Sequence, residues 1–374
     1  MAFENHIEPR SRLKIFNYLE QNRMRNLLLI VGNNSCKEVL IKKYINEIKS
    51  KYKVKKIIKK STNPQFEESY QASRLIQNYK SDVIIAIGGG SIIDTAKLIS
   101  AFQPYNKVES KKILLGSKFI EKKLIPIIAI PTTAGSGSES THFAVAYYDN
   151  KKFSVASKKL LPVSYFIDSE LTYSMPTYLA ASTGFDALAQ AIESAWSINS
   201  NSKSLSYSHE AIKIIKNNIK KSVIEKNIKS RNKMCNAANL SGKAINITKT
   251  TAPHAMSYNL ASQLKISHGH SVAIILGHFF EINCESENVS KKINKKILYK
   301  NMKSIFLSLG IKSALAAKNK WFKLMDECNL ETSFEKLKLT KKSDINKIIS
   351  SINIERLKNH PVILNEKDFF KIFE

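Results

Sequence analysis

Asp82-Val-Ile-Ile-Ala-Ile-Gly-Gly-Gly-Ser-Ile-Ile-Asp-Thr-Ala-Lys97 sets a wholly apolar run against three glycines and then a segment of helical spacing. A continuous apolar run stopped by glycine predicts a strand buried on both faces, as in a parallel sheet. The glycines allow a pyrophosphate to approach the backbone closely. A helix opening at Ser91 would aim its free N–H groups and positive dipole end at that anion. Ser91 and Asp94 also have the S-x-x-D spacing of a capping box. The spacing is not the G-x-G-x-x-G of dinucleotide-binding Rossmann turns.

The same grammar extends outward from this unit. Upstream, a helical stretch over Arg12–Gln21 precedes the apolar run Leu27–Val31, which stops at Gly32-Asn-Asn-Ser35. Helical spacing over Glu38–Lys49, a strand over Val54–Ile58 and helical spacing over Phe66–Tyr79 follow. Downstream, Leu124–Ile130 runs into Pro131-Thr-Thr-Ala-Gly-Ser-Gly-Ser-Glu139, a second loop rich in hydrogen-bond donors at the carboxyl end of a strand. Strands alternating with helices predict a parallel sheet covered on both faces. Phe143–Tyr148, Phe153–Ala156 and Ser164–Ile167 read as edge strands or a hairpin. From Met175-Pro176 onward only helical patterns remain, so the expected domains are an α/β domain over 1–175 and an all-helical domain over 176–374. Helical segments are expected over Ser182–Ser194, Ile212–Ile228, Ile293–Leu309 and Ala314–Met325, with the tail to Glu374 of the same character.

Composition narrows the function classes. At 374 residues with 43% hydrophobic content the chain can bury two cores. No apolar run approaches membrane-spanning length and no signal peptide is indicated, so a cytoplasmic protein with no membrane partner is expected. Cys36, Cys235, Cys284 and Cys328 form no CxxC unit, which suits a reducing compartment. The formal charge of +28 invites a nucleic-acid reading. Yet only seven of the 59 basic residues are arginine, the better fork for phosphate and base edges. The densest run, Lys49–Lys60, holds one aromatic residue and reads as a helix end entering a strand. No nucleic-acid partner is therefore expected; a catalytically silent polyanion-binding protein is the alternative of another class.

Metal chemistry concentrates in two stretches. Asp186 and Gln190 lie four apart on a predicted helix, so both side chains leave one face. His254 and His268 would stand about 21 Å apart in one straight helix and can share an ion only if the chain breaks between them. Pro253 and the loop-like Lys265-Ile-Ser-His-Gly-His270 permit that break. One aspartate, two histidines and a weaker fourth ligand suit Fe²⁺ or Zn²⁺ with a position open for a substrate oxygen.

At GGGSIIDTAK (88–97), PTTAGSGSE (131–139), TGFDALAQAIES (183–194) and HAMSYNLASQLKISHGH (254–270), continued by LGHFFEIN (276–283), the chain resembles the iron-containing, or group III, alcohol dehydrogenases. The resemblance implies a dehydroquinate synthase-like fold: a nucleotide-binding α/β domain, then an all-α metal-binding domain, commonly in a homodimer. It further implies that Gly88, Gly89, Gly90 and Ser91, with Asp94 and Lys97 in support, form a pyrophosphate loop. Thr132, Thr133, Ser136, Gly137 and Ser138 resemble the second nucleotide loop. Asp186, His254 and His268 match three metal ligands, while Gln190 stands where the usual pattern has histidine.

Three further departures bear on chemistry. Tyr258 replaces a histidine near the nicotinamide, leaving the proton to Tyr258, His270 or water. Gly32 replaces an aspartate that would repel a 2′-phosphate, which favours NADPH over NADH. Between Gly242 and His254 the family is small and apolar, whereas this chain carries Lys243, Asn246, Thr248, Lys249, Thr250 and Thr251. A lysine near a metal ion is repelled unless an anion lies between them. The expected substrate is therefore an acidic aldehyde, with Lys243, Asn246, Lys249 and Thr250 as its candidate contacts. GKAINITKTTAPHA together with Gln190 and SHGH resembles the phosphonoacetaldehyde reductase branch, which makes 2-hydroxyethylphosphonate. A general short-chain alcohol dehydrogenase is the alternative within the family; glycerol-phosphate dehydrogenase and dehydroquinate synthase chemistry fit the motifs less well.

Overall fold

Leu27–Ile30 and Val83–Ile87 are fully buried because they run through the middle of a parallel sheet with helices on both faces. The structure is a computed structural model that describes residues 4–149, 151–350, 352 and 357–373. It divides into two compact units, 1–133 with 137–174, and 134–136 with 175–374.

In the first unit the strands are β1 (Glu4–Ile7), β2 (Asn26–Gly32), β3 (Lys53–Lys59), β4 (Val83–Gly88), β5 (Ile127–Pro131), β6 (Phe143–Tyr148), β7 (Lys151–Ala156) and β8 (Ser164–Ile167). Its helices are α1 (Ile15–Gln21), α2 (Val39–Lys51), α3 (Phe66–Leu75), α4 (Gly90–Phe102) and α5 (Lys107–Leu114). Six strands form one sheet in the order β1-β8-β5-β4-β2-β3, all neighbours parallel, and β6 and β7 pair as an antiparallel hairpin. Leu27, Leu29 and Val31 share one core with Ile15, Tyr18, Tyr44 and Ile48 of α1 and α2, as the two-residue period of a strand requires. A second core joins Phe66, Leu98 and Phe102 to Ala144 and Ala146 of the hairpin. The lysine-rich run Lys49–Lys60 is the end of α2 and the edge strand β3, where charge discourages pairing with another sheet.

Two expectations need correcting. Ser164–Ile167 is an interior strand, and the edge beside it is β1, whose sequence Glu-Asn-His-Ile carries no apolar run. Strand β1 is held by its register on β8, Glu4 opposite Ser164, and by polar pairing just beyond it. There the buried Asp168 receives the Arg12 guanidinium and the Arg10 N–H at 2.9 Å. The capping box is also absent. Helix α4 begins at Gly90, the Ser91 hydroxyl donates to the Thr62 carbonyl at 2.7 Å, and Asp94 is engaged elsewhere.

The second unit is helical: α6 (Thr177–Trp196), α7 (Ser202–Val223), α8 (Ile228–Thr248), α9 (Ala252–Leu264), α10 (His268–Glu285), α11 (Lys295–Leu309), α12 (Ala314–Glu327), α13 (Lys342–Ser350) and α14 (Glu366–Phe370). A break at 224–227 splits the helix expected over Ile212–Ile228. Of the tail expected to be helical, residues 351, 353–356 and 374 lie outside the described residues.

His360 is buried in this unit against the rings of Trp196 and Phe279, with centroids 6.2 and 5.1 Å away. Neither ring nitrogen has a hydrogen-bond partner, and burial pushes its pKa down to about 3 from 6.5. Because the folded value lies below the unfolded one, the stability that the neutral ring permits is complete above pH 6.5 and fades as pH falls toward 3. His278, pushed to about 4 by burial and by Lys318, adds to the same acid-side loss. His360→Phe removes two unpaired polar atoms from an aromatic setting. At pH 7 the variant is expected to match or exceed the wild type by about 1–2 kcal/mol, and its melting temperature to fall less steeply between pH 6.5 and 4. Thermal unfolding across that range checks both.

Candidate metal centre and nucleotide loops

The candidate metal centre is assembled from three helices of the second unit. Asp186 and Gln190 lie one turn apart on α6 and are both buried. His254 sits in the first turn of α9, which Pro253 helps to start. Lys265, in the left-handed region at φ 55°, ends that helix. The chain then re-enters α10 at His268, with Ser267 as its cap. The ligand atoms of Asp186, His254 and His268 all lie within 4.8 Å of one another. Gly269 makes this approach possible: a Cβ there would stand 2.0 Å from the Ser182 carbonyl oxygen and 3.0 Å from Asp186 Cβ. Any side chain at 269 would push α10 away from α6 and His268 away from Asp186.

Two observations test whether this set suits a divalent ion. Gln190 Oε1 is buried with no hydrogen-bond partner, an expensive state for an amide oxygen unless something else takes its lone pair. His254 Nε2 faces Asp186 Oδ1 at 3.2 Å, so these two ligands already converge. Burial disfavours a charged His254, yet Glu193 and Asp186 outweigh it and lift its pKa to about 9. The ring's surroundings thus favour a cation. One carboxylate, two imidazoles and one amide oxygen fit Fe²⁺ or Zn²⁺.

Glu193 is the residue that sequence reading missed. Fully buried one turn beyond Gln190, it binds His254 Nδ1 and accepts from the Thr251 N–H at 2.6 Å and the Thr251 hydroxyl at 2.8 Å. The bond to Nδ1 leaves Nε2 to face Asp186. Its sequence signal was available: Asp186, Gln190 and Glu193 follow the i, i+4, i+7 spacing of a single helix face.

The remaining second-unit candidates fare unequally. Tyr258 stacks on His268, with centroids 5.3 Å apart and planes at 14°. Both nitrogens of His270 are bonded, Nε2 donating to the Glu331 carbonyl at 2.7 Å and Nδ1 meeting the Tyr178 hydroxyl at 3.1 Å. The hydroxyl of Tyr178 is thus the titratable group bonded to His270, and it also accepts from the Ser267 N–H at 3.1 Å. The polar segment before His254 is of mixed character too. Thr248 bonds the Ser194 hydroxyl at 2.9 Å, and Thr251 accepts from Trp196 Nε1 at 2.9 Å, so both are tied inward. Lys249 is exposed, at φ 60°, while Lys243, Asn246 and Thr250 are half-buried.

The two glycine- and hydroxyl-rich loops follow the adjacent strands β4 and β5. The Thr132 N–H donates to the Gly88 carbonyl at 3.1 Å and ties them together. A Cβ on Gly88 would stand 2.4 Å from Ile92 Cγ1, so only glycine permits the tight entry into α4. Asp94 accepts from the Ser138 hydroxyl and from the Val145 N–H at 2.9 Å. Lys97 is fully buried and donates to the carbonyls of Ser138 at 2.7 Å, Thr141 at 2.8 Å and Phe143 at 2.9 Å. Both residues therefore brace the second loop. The first-turn N–H groups of α4, with Thr132, Thr133 and Ser136–Ser138, remain the candidate nucleotide contacts; Gly32 closes β2 beside Lys59 of β3.

The description "Iron-containing alcohol dehydrogenase" matches residues 5–169, and "Fe-containing alcohol dehydrogenase family, C-terminal" matches residues 180–374. The chain belongs to the iron-containing alcohol dehydrogenase family. It is 35% identical over 215 residues to long-chain-alcohol dehydrogenase 1 of Geobacillus thermodenitrificans, covering 57% of this chain and 54% of that one. The chain thus spans about half the length of the curated relative it matches there. A crystal structure of sulfoacetaldehyde reductase from Bifidobacterium kashiwanohense in complex with NAD+ superposes with a TM-score of 0.88 at 25% identity, covering 100% of this chain and 96% of that one. Alcohol dehydrogenase from Oenococcus oeni gives 0.85 at 25% identity, covering 100% and 98%.

Proposed function

We propose that this chain reduces a small anionic aldehyde to its alcohol, phosphonoacetaldehyde to 2-hydroxyethylphosphonate being the first candidate, with hydride from NADPH or NADH. The observation that carries the reading is the convergence of buried Asp186 and His254 with half-buried His268 beside the unpartnered Gln190 Oε1. When bound there, a divalent ion supplies Lewis-acid polarisation of a carbonyl oxygen. A dinucleotide held at Gly88–Ser91 and Thr132–Ser138 supplies the hydride. Glu193 fixes the tautomer and angle of His254, and Gly269 sets the spacing of His268. The alkoxide proton is assigned to Tyr258, to His270 with the Tyr178 hydroxyl bonded to it, or to water.

An acidic substrate is supported by Lys243 and Lys249 upstream of His254, and by the likeness to a protein whose name specifies sulfoacetaldehyde, a two-carbon aldehyde with an anionic end. NADPH is favoured over NADH by the missing carboxylate at Gly32, the last residue of β2. A general short-chain alcohol dehydrogenase is the second reading, favoured by the exposure of Lys249 and the inward ties of Thr248 and Thr251.

Cofactor oxidation with phosphonoacetaldehyde, sulfoacetaldehyde, lactaldehyde and acetaldehyde separates the two readings. Lys249→Ala is expected to lower kcat/KM for phosphonoacetaldehyde by about tenfold or more, the scale of one charge-assisted hydrogen bond, and to leave acetaldehyde unchanged. Equal losses on both aldehydes, or none, would remove Lys249 from the anion contacts.

A further inference from the structure

A cavity of about 430 Å³ opens in the helical unit among α6, α7, α11 and α12, in the size range of small-molecule sites. Its wall includes Leu188, Leu309, Ala317 and Trp321, all buried. Its rim is cationic. A Cβ built on Gly310, the left-handed residue ending α11, would lie 3.3 Å from Lys216 Nζ and 4.0 Å from Lys320 Nζ, so two ammonium groups flank one glycine. Lys320 donates to the Leu309 carbonyl at 2.9 Å, and Lys216 and Lys323 have no ion pair or hydrogen bond among the described residues. Glu327, the acid of the rim, is bridged to Lys220 at 3.3 Å. Burial and the charges of Lys320 and Lys213 lower the Lys216 pKa, as expected for a cation short of counter-charge.

From an apolar wall beneath converging, uncompensated lysines, we infer that this cavity binds an amphipathic monocarboxylate: a carboxylate against Lys216 and Lys320, and a short acyl chain against Leu188, Leu309 and Trp321. Neither feature suffices alone. A bare phosphate leaves the apolar wall wet, and a neutral alcohol leaves the two ammonium groups without a counter-charge. The site is separate from the metal ligands yet shares a helix with them. Leu188 lies two residues from both Asp186 and Gln190, about 200° round α6. An occupant would therefore press on the reverse face of the helix that carries two ligands.

Isothermal titration calorimetry of the full chain with octanoate, octanol and acetate tests the inference. Octanoate is expected to bind saturably at one site, in about the millimolar range or tighter for a ligand of that size. Octanol and acetate are expected to bind at least about tenfold more weakly, and Lys216→Met/Lys320→Met to weaken octanoate by about tenfold while leaving octanol unchanged. If the double variant fails to fold, Lys320→Met alone, at an exposed side chain, gives the same reading with a smaller loss. Absence of saturable octanoate binding, octanol binding as tightly as octanoate, or octanoate affinity unchanged in the lysine variants would each overturn the inference. All of these readouts are independent of aldehyde reduction.

Discussion

Asp186→Ala is expected to lower kcat/KM for aldehyde reduction by about 1000-fold or more and to strip the purified protein of its metal. Asp186 is the only carboxylate among the candidate ligands, so its loss leaves two imidazoles and an amide oxygen, a neutral set that no longer balances a divalent charge. Asp186 Oδ1 also lies 3.2 Å from His254 Nε2, and truncation removes the partner facing that nitrogen. Asp186→Asn separates charge from shape, because it keeps the volume and loses the anion. Both variants should show less metal by elemental analysis and slower turnover at an unchanged Kd for the nicotinamide nucleotide, since neither Gly88–Ser91 nor Thr132–Ser138 contains a candidate metal ligand. Full turnover by the metal-stripped wild type, or full metal content in Asp186→Ala, would overturn the ion's assigned place.

What was legible in the sequence follows the strength of each local signal. Val83–Gly88 and the helix after it stood out because a buried parallel strand needs an unbroken apolar run and a tight turn needs glycine. Asp186, His254 and His268 could be named as ligands, but their convergence could not be read from spacing. It depends on Lys265 in the left-handed region and on the missing side chain at Gly269, which are matters of backbone and packing. Strand β1 escaped notice because four residues of mixed polarity form a strand only by pairing with β8, 160 residues away. The Ser91–Asp94 capping box failed for a related reason. Asp94 is drawn to Ser138 and Val145, and a tertiary partner outcompetes the local one. Thr248 and Thr251 misled similarly: in sequence they extend a polar substrate segment, whereas in the fold they satisfy Ser194, Trp196 and Glu193.

Glu193→Ala should be the most disruptive single change near the metal that touches no ligand directly by coordination. Its carboxylate serves three donors, the Thr251 N–H, the Thr251 hydroxyl and His254 Nδ1, and all are buried. Truncation leaves each without its acceptor, at about 1–3 kcal/mol apiece, so a loss of about 3–5 kcal/mol in unfolding stability is expected. Metal affinity is expected to fall by about 10- to 100-fold, because His254 is then free to rotate and to present either nitrogen. Glu193→Gln distinguishes orientation from bulk stability. The amide keeps one acceptor oxygen and the side-chain volume, so it should recover most of the stability while remaining deficient in metal retention. Competition with a coloured chelator measures the affinity, and chemical denaturation of the metal-free protein measures the stability. If Glu193→Gln lost stability but held metal as tightly as the wild type, Glu193 would be a packing residue of α6 and α9 with no hand in positioning His254.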